Sequence, residues 1–250
     1  MKRVELIGLD GIGEVKPGDS IGRLICDACL RQNIELRPND VLVIAQKIVS
    51  KAEGRIVALD DIQPSPRALE LSRMLDKDPA LVEVILRDSR RVIRTGPRAL
   101  IVETHHGFIC ANAGVDQSNA GLRRVTLLPK DPDRSAREIQ NEIQQRAGKD
   151  PAVIISDSFG RAWRLGTVDV AIGISGMKPI KDERGLQDRY GYQLKAAVAA
   201  AADEIAAAAE LVMGKRDAIP IVVVRGYDIE KQEGGTVEEL HRPEAEDLFR

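Results

Sequence analysis

Aromatic residues and an excess of either charge are scarce in this sequence. Aromatic side chains make up 3% of the 250 residues, so few can stack on nucleic-acid bases. The 37 basic residues are balanced by 39 acidic ones, so the chain has no overall field to attract nucleic acid. We therefore expect no nucleic-acid partner and an apolar core built from Ala, Val, Ile and Leu.

Cysteine is scarce as well, and its spacing indicates neither a disulfide framework nor a complete zinc site. Cys26 and Cys29 have the C-x-x-C spacing of a redox pair, while Cys110 stands apart. No second C-x-x-C is present to complete a zinc site. Both residues of the pair fall among apolar residues at helical spacing, which favours small core residues of a helix.

No segment is apolar enough for a signal peptide or a membrane span. The N-terminus, MKRVELIGLDGIGEV, has no long apolar core. The segment 192–213 is mostly alanine, and Asp203 and Glu204 in its middle would be costly in a bilayer. The segment predicts a water-exposed helix, and we expect a cytoplasmic protein without a membrane partner.

The two common nucleotide-binding motifs are also missing. A P-loop needs Ser or Thr after Gly-Lys, but the two Gly-Lys pairs of this chain are followed by Asp150 and Arg216. Gly11 and Gly13 begin a dinucleotide-loop pattern, but Lys16 stands where the third glycine belongs. A nucleotide would therefore need a different binding site.

Short apolar runs alternate with helical periodicity along the chain, which predicts the α+β (mixed α/β) class with mixed β-sheets flanked by helices. Strands are predicted over 4–9, 41–45, 55–59, 99–103, 107–110, 152–156, 169–174 and 221–225. Helices are predicted over 19–32, 66–75, 79–88, 134–147 and 192–213, with Ser135-x-x-Glu138 as a capping box. The polar residues from 226 onward predict a loop followed by a surface helix. The length suits one large domain or two small, intertwined lobes.

Three polar stretches interrupt the predicted strands. They are AQKIVSKAEGR (45–55), ICANAGVDQSNAG (109–121) and ISDSFGRAWR (155–164). Strand ends are where α/β frameworks hold ligands. The Asp- and Ser-rich turns offer the hard oxygen ligands that Mg²⁺ or Mn²⁺ takes, and Lys and Arg offer phosphate partners. Together they indicate metal-assisted phosphoryl chemistry, although each stretch alone also fits an ordinary polar turn.

Seven motifs, in order along the chain, resemble the coenzyme F420-0:L-glutamate ligase family. They are IVSKAEGR (48–55), NAGVDQSN (112–119), ISDSFGRAWR (155–164), VAIGISGMKPIKD (170–182), DRYG (188–191), ADEIA (202–206) and IVVVRG (221–226). The resemblance spans nearly the whole chain, and the second and fourth motifs are the most specific. It implies the stand-alone form, a single domain over 1–250 of two intertwined lobes, without a fused nitroreductase-like domain.

The resemblance implies a GTP-dependent reaction. The γ-phosphate of GTP passes to the terminal carboxylate of F420-0, and the amine of L-glutamate attacks the resulting acyl phosphate to form an amide. Further glutamates are γ-linked. The family's cations are Mg²⁺ or Mn²⁺, with K⁺ as an additional cation, and a homodimer is implied. Three alternatives stay open: a metal-dependent nucleotide phosphohydrolase, a glutamate ligase acting on a different acid, and a binding protein without catalysis.

Residue roles carry over from the family's motifs. The implied metal ligands are Asp116, Asp157 and Ser158, where the family usually has Thr in place of Ser158, and the implied catalytic residues are Lys51, Asp116 and Asp157. The implied nucleotide contacts are Ile12, Gly13, Glu14, Val15, Gln46, Lys47, Lys51, Asn119, Met213, Gly214, Lys215, Arg216, Asp217, Ala218, Ile219 and Pro220.

Besides Ser158, three of these positions depart from the family pattern. Gln46 and Lys47 replace small hydroxyl residues of some relatives. Lys215 stands where some relatives carry a metal-ligating Glu. Either Lys215 points to solvent, or its ammonium group lies near the phosphates and replaces the charge of a cation.

Overall fold

The structure is a computed structural model that describes residues 2–247. Strands and α-helices are interspersed along this part of the chain. The strands are β1 (Glu5–Gly8), β2 (Val41–Ala45), β3 (Ile56–Ala58), β4 (Ser89–Thr95), β5 (Leu100–Thr104), β6 (Ile109–Ala111), β7 (Arg124–Thr126), β8 (Ala152–Arg161), β9 (Arg164–Ser175), β10 (Lys181–Asp182), β11 (Val198–Ala199) and β12 (Ile221–Arg225). The helices are α1 (Ile21–Arg31), α2 (Gln46–Ala52), α3 (Pro66–Leu75), α4 (Pro79–Arg87), α5 (Pro132–Ala147) and α6 (Ala201–Met213). The predicted α+β class is confirmed.

A mixed five-stranded sheet carries the larger core. Its strand order is β1-β12-β2-β8-β9, in which β2 and β8 are parallel and the other pairs are antiparallel. The runs Val41–Ala45 and Ile221–Arg225 are almost wholly apolar because both faces of these strands are buried. Helices α5 and α6 pack on β9, and α1 packs on α5. The approach of α5 is close, because a Cβ atom at Gly173 of β9 would lie 2.5 Å from the backbone of Pro132.

A second, smaller core is built from one continuous part of the chain. Its buried apolar residues all lie between Leu59 and Leu127. This part contains α3, α4, the antiparallel sheet β4-β5-β6 and β7, and β3, which directly precedes it, pairs with β7. The division of the chain into one domain of two intertwined lobes stays a prediction.

Cys26 and Cys29 lie buried in α1, within the larger core, so the structure confirms their interpretation as core residues.

The third polar stretch is part of a hairpin rather than a turn after a strand. The strand predicted over 152–156 continues to Arg161, and the strand predicted over 169–174 begins at Arg164. Asp157 pairs with Val170 and Ser158 with Asp169 across the hairpin. The prediction ended too early because it followed only apolar residues, whereas backbone pairing continues through the polar ones.

The helix predicted over 192–213 is wrong for residues 192–200, because α6 begins at Ala201. The preceding residues pair with the segment around β10 instead. The N–H of Glu183 donates to the carbonyl of Ala197, and the N–H of Gly185 to that of Leu194, both at 2.8 Å. These long-range backbone bonds override the helical propensity of the alanines.

Two further helix predictions are wrong in detail. The capping box at Ser135 is absent, because α5 begins earlier, at Pro132, and the side chain of Asp131 accepts the N–H of Arg134 at 2.9 Å. Proline is favoured at this first helical position. In place of the predicted C-terminal surface helix, the described residues form two short 3₁₀ turns, Val237–Leu240 and Glu244–Glu246. No helix in the described part of the chain is both long and apolar enough to span a membrane.

Candidate active site

The three polar stretches converge on one open cleft of about 870 Å³, a volume typical of small-molecule sites. Its polar lining residues are Glu14, Gln46, Lys47, Lys51, Asp116, Ser118, Asn119, Ser156, Asp157, Ser158, Thr167, Asp169, Glu210, Lys215 and Arg216. The cleft therefore draws its chemistry from six separate segments of the chain. Most of the residues that the sequence predicted as a site are brought together here.

Helix α2 presents two lysines to the cleft. β2 ends at Ala45 and α2 begins at the next residue, so Lys47 and Lys51 are spaced four apart on one face of the helix. The Nζ atom of Lys47 donates to Asp116 at 2.8 Å, and that of Lys51 donates to Glu14 at 2.6 Å. Both ammonium groups therefore face carboxylates.

The first residues of NAGVDQSN form a left-handed turn. Asn112, Ala113 and Gly114 have φ angles of 54°, 57° and 68°, and Ala113 is completely buried. Left-handed backbone is uncommon for an alanine and indicates local strain. A side chain at Gly114 would in addition collide with Leu128, at 2.7 Å.

Asp116 follows this turn and is fixed by its backbone. Its N–H and carbonyl both pair with Thr126, at 3.1 and 2.8 Å. Its carboxylate accepts the N–H of Ser118 at 2.7 Å and the ammonium of Lys47. The short polar side chains of this stretch therefore build a turn and also direct a carboxylate into the cleft.

The two predicted catalytic carboxylates have opposite electrostatic environments. Burial raises the pKa of Asp116, but the hydrogen bonds from Lys47 and Ser118 outweigh it, so the pKa of Asp116 lies below its ordinary value. Burial raises the pKa of Asp157 from 3.8 to about 7, and the neighbouring charges of Asp169 and Asp116 add to that rise. Among residues 2–247, no basic side chain forms a salt bridge with the carboxylate of Asp157.

The β8–β9 hairpin holds a buried acid that sequence reasoning missed. The carboxylate of Asp169 accepts hydrogen bonds from Ser158 at 2.6 Å and from Ser156 at 3.0 Å. The Nζ atom of Lys215 donates to the same Ser158 hydroxyl at 2.7 Å. Lys215 therefore lines the cleft while remaining exposed to solvent, and its role beside the phosphates stays a prediction. An Asp in a strand of otherwise buried apolar residues was the available signal for Asp169.

A second missed acid, Glu210, lines the cleft from α6. Burial and the charge of Asp169 raise its pKa, while Lys215 lowers it. Two of the predicted nucleotide contacts, Ile12 and Val15, have their side chains buried in the larger core. Neither of them lines the cleft, and neither does Asp217.

The oxygen donors of the cleft fit a hard divalent cation. In the described part of the chain no salt bridge reaches the half-buried carboxylate of Asp157, and Asp116 and Ser158 line the same cavity. Carboxylate and hydroxyl oxygens are ligands that Mg²⁺ and Mn²⁺ accept. Within the described residues, no three His, Cys, Asp or Glu side chains converge to hold an ion by themselves. A bound cation would therefore complete its coordination with the hydroxyl, water or phosphate oxygens.

Comparison with known proteins adds to this geometry. The sequence profile of the F420-0:Gamma-glutamyl ligase family matches residues 11–226. The chain is 47% identical over 249 residues to a protein of Methanothermobacter thermautotrophicus, covering 99% of each chain. It is 45% identical over 252 residues to one of Methanopyrus kandleri, covering 99% of this chain and 97% of the relative. It is 41% identical over 249 residues to one of Archaeoglobus fulgidus, with the same coverage, 99% and 97%. All three are named Coenzyme F420:L-glutamate ligase.

Proposed function

The chain belongs to the F420-0:gamma-glutamyl ligase family, and from this premise we propose that it joins L-glutamate to the carboxylate of F420-0 with GTP as co-substrate. The observation that carries the proposal is the single cleft in which the carboxylates Asp116 and Asp157 meet the cations Lys47, Lys51 and Lys215. Phosphoryl transfer needs positioning and charge neutralisation more than a covalent nucleophile, and this set of residues supplies both.

In the proposed reaction, a carboxylate oxygen of F420-0 attacks the γ-phosphorus of GTP, and the bond to GDP breaks. The glutamate amine then attacks the acyl carbon, phosphate leaves, and the amine loses a proton. Each further glutamate reacts through its amine with the γ-carboxylate of the glutamate already attached, after that carboxylate has been phosphorylated in the same way. Asp116, Asp157 and Ser158 would hold Mg²⁺ or Mn²⁺, which when bound neutralises phosphate charge. Lys51 and Lys215 are placed to bind the remaining phosphate oxygens.

Ligand binding requires an exchange of ion-pair partners. Lys51 is buried and pairs with the exposed carboxylate of Glu14, and Lys47 pairs with Asp116. An incoming phosphate replaces Glu14 as the partner of Lys51. Phosphate near Lys47 likewise releases Asp116 to ligate the cation. The carboxylates therefore hold the lysines in position before the nucleotide binds, which reduces the reorganisation needed in the reaction.

The cellular setting and assembly form part of the same proposal. We propose a cytoplasmic enzyme, supported by three buried free cysteines that suit a reducing compartment. We also propose a homodimer, with K⁺ as an additional cation. The alanine-rich face of α6 is buried within the chain, so it does not supply the dimer contact. Leu165 at the hairpin tip and Leu211 on α6 are 99% and 83% exposed and are available to a second copy.

Substrate dependence of GTP turnover tests the proposal against the phosphohydrolase alternative. GDP release should be measured with GTP and Mn²⁺ alone, then with F420-0, with glutamate, and with both together. We expect fast release only with both substrates. Release at the full rate from GTP alone would identify a hydrolase. Release that requires glutamate and another carboxylic acid, but not F420-0, would identify a ligase of different specificity.

A further inference from the structure

Asp169 is a buried carboxylate in the wall of the cleft that the proposed chemistry leaves without a task. It is 4% exposed and belongs to β9, directly opposite Ser158 of β8. No salt bridge reaches it within residues 2–247, and its hydrogen-bond donors are the hydroxyls of Ser156 and Ser158. A buried charge held by two neutral hydroxyls is costly, so a structural explanation alone is weak.

The hydrogen bonds of Asp169 fix the polarity of Ser158. A serine hydroxyl has one proton to donate and two lone pairs that accept. The Ser158 hydroxyl donates to the Asp169 carboxylate at 2.6 Å, so this contact uses the proton of Ser158. Lys215 has no lone pair to offer and must donate to Ser158, at 2.7 Å. One lone pair of Ser158 therefore remains, and it can serve only as an acceptor.

We propose that Asp169 is a positioning residue that holds the Ser158 hydroxyl as an oxygen ligand for the divalent cation of the cleft. A hydroxyl whose proton pointed into the cleft would repel a cation and would also clash with the ammonium of Lys215. By accepting that proton, Asp169 keeps the oxygen lone pair directed toward the cation. The inference rests on the proposed function for the identity of the cation, but its test does not depend on ligase activity.

Asp169→Asn preserves the shape of the side chain and replaces one of its two acceptor oxygens with an NH2 donor. Where that NH2 group faces Ser158, the hydroxyl must accept and turns its own proton toward the cleft. Loss of a partner that orients a metal ligand commonly weakens metal affinity about 10–100-fold. We expect a loss of this size in Mn²⁺ affinity for Asp169→Asn. Asp169→Ala, which leaves the hydroxyl free to rotate, should show a loss in the same direction.

The experiment measures Mn²⁺ binding to the full chain without nucleotide, by electron paramagnetic resonance of free Mn²⁺. Ser156→Ala is the matched control, because it removes the other hydrogen bond to Asp169 and leaves the Ser158 bond intact. It should keep Mn²⁺ affinity within about twofold of the wild type. Thermal melting in chelator should show that each variant is folded.

A double-mutant cycle separates positioning from direct ligation. If Asp169 acts through Ser158, Ser158→Ala alone should weaken Mn²⁺ binding, and adding Asp169→Asn should weaken it little further. Fully additive losses would overturn the inference, as would wild-type affinity in both Asp169 variants. A wild-type chain that binds Mn²⁺ through this serine but forms no glutamyl product would leave the inference standing and refute the proposed function.

Discussion

Asp157→Asn is predicted to stabilise the cation-free protein while abolishing its activity. The burial of Asp157 raises its pKa from 3.8 to about 7, so ionisation is opposed in the folded chain and not in the unfolded one. The stabilisation that the neutral form provides is complete below pH 3.8 and is lost as the pH rises to about 7. Asparagine resembles the neutral form at every pH, so the substitution should restore the lost stability at pH 8.

The size of the effect follows from the pKa difference. About 3 units at about 1.4 kcal/mol each give a ceiling of about 4 kcal/mol at pH 8, and we expect about 2–4 kcal/mol. For a chain of this length, that range corresponds to a rise in Tm of about 4–16 °C. At pH 5 the penalty is smaller, because the unfolded carboxylate is ionised while the folded one stays neutral, so the gain should fall below about 2 kcal/mol.

Thermal and urea unfolding in chelator at pH 5 and pH 8 measures this difference. Asp116→Asn is the control of opposite sign, because hydrogen bonds from Lys47 and Ser118 lower the pKa of Asp116. Its half-exposed ion pair contributes little, so this control should lose about 0.5–1 kcal/mol at pH 8. Both variants should lose glutamyl transfer. An Asp157→Asn protein that is less stable than the wild type at pH 8, or whose gain is equal at both pH values, would refute the reasoning.

Three other predictions concern the cleft, the core and the assembly. Lys215→Ala removes the ammonium group bonded to Ser158. It should lower kcat about a hundredfold, because the transition state loses about 2–4 kcal/mol of charge stabilisation. Near-normal kcat and KM for GTP would show that this lysine has no role in the reaction. Arg225 donates to both carboxylate oxygens of buried Asp40, so Arg225→Ala should lower the free energy of unfolding in urea by about 3–5 kcal/mol. A loss below about 1 kcal/mol would show that this ion pair does not stabilise the core. Light scattering at micromolar concentration should give a dimer mass, and the mass of one 27.4 kDa chain would refute the proposed homodimer.

The sequence predicted those parts of the fold in which local pattern and burial agree. The strands at 41–45 and 221–225 match β2 and β12 because continuous apolar runs fill strands buried on both faces. β4 was missed because its sequence, SRRVIRT, is rich in arginine. Arg91 of that strand is held by Glu103 and Glu244, partners that only the folded chain brings near.

The residue types of the candidate site were predictable from the sequence, but the contacts between them were not. The three polar stretches contain Asp116, Asp157 and Lys51, whose roles the family resemblance implied, and all three line the cleft. The missed acid Asp169 becomes recognisable as a site residue only from its pairing with Ser158 of the opposite strand, which residue types alone do not show. Likewise, the contact of Lys215 with Ser158 joins residues 57 positions apart.

Formation of the glutamyl product tests the central claim most directly. The full chain should be incubated with F420-0, L-glutamate, GTP and Mn²⁺, and the deazaflavin analysed by mass spectrometry. We predict a mass increase of at least one glutamyl residue, accompanied by one GDP for each amide formed, and no increase when GTP is omitted. Unchanged F420-0 after incubation with folded, cation-loaded protein would contradict the account.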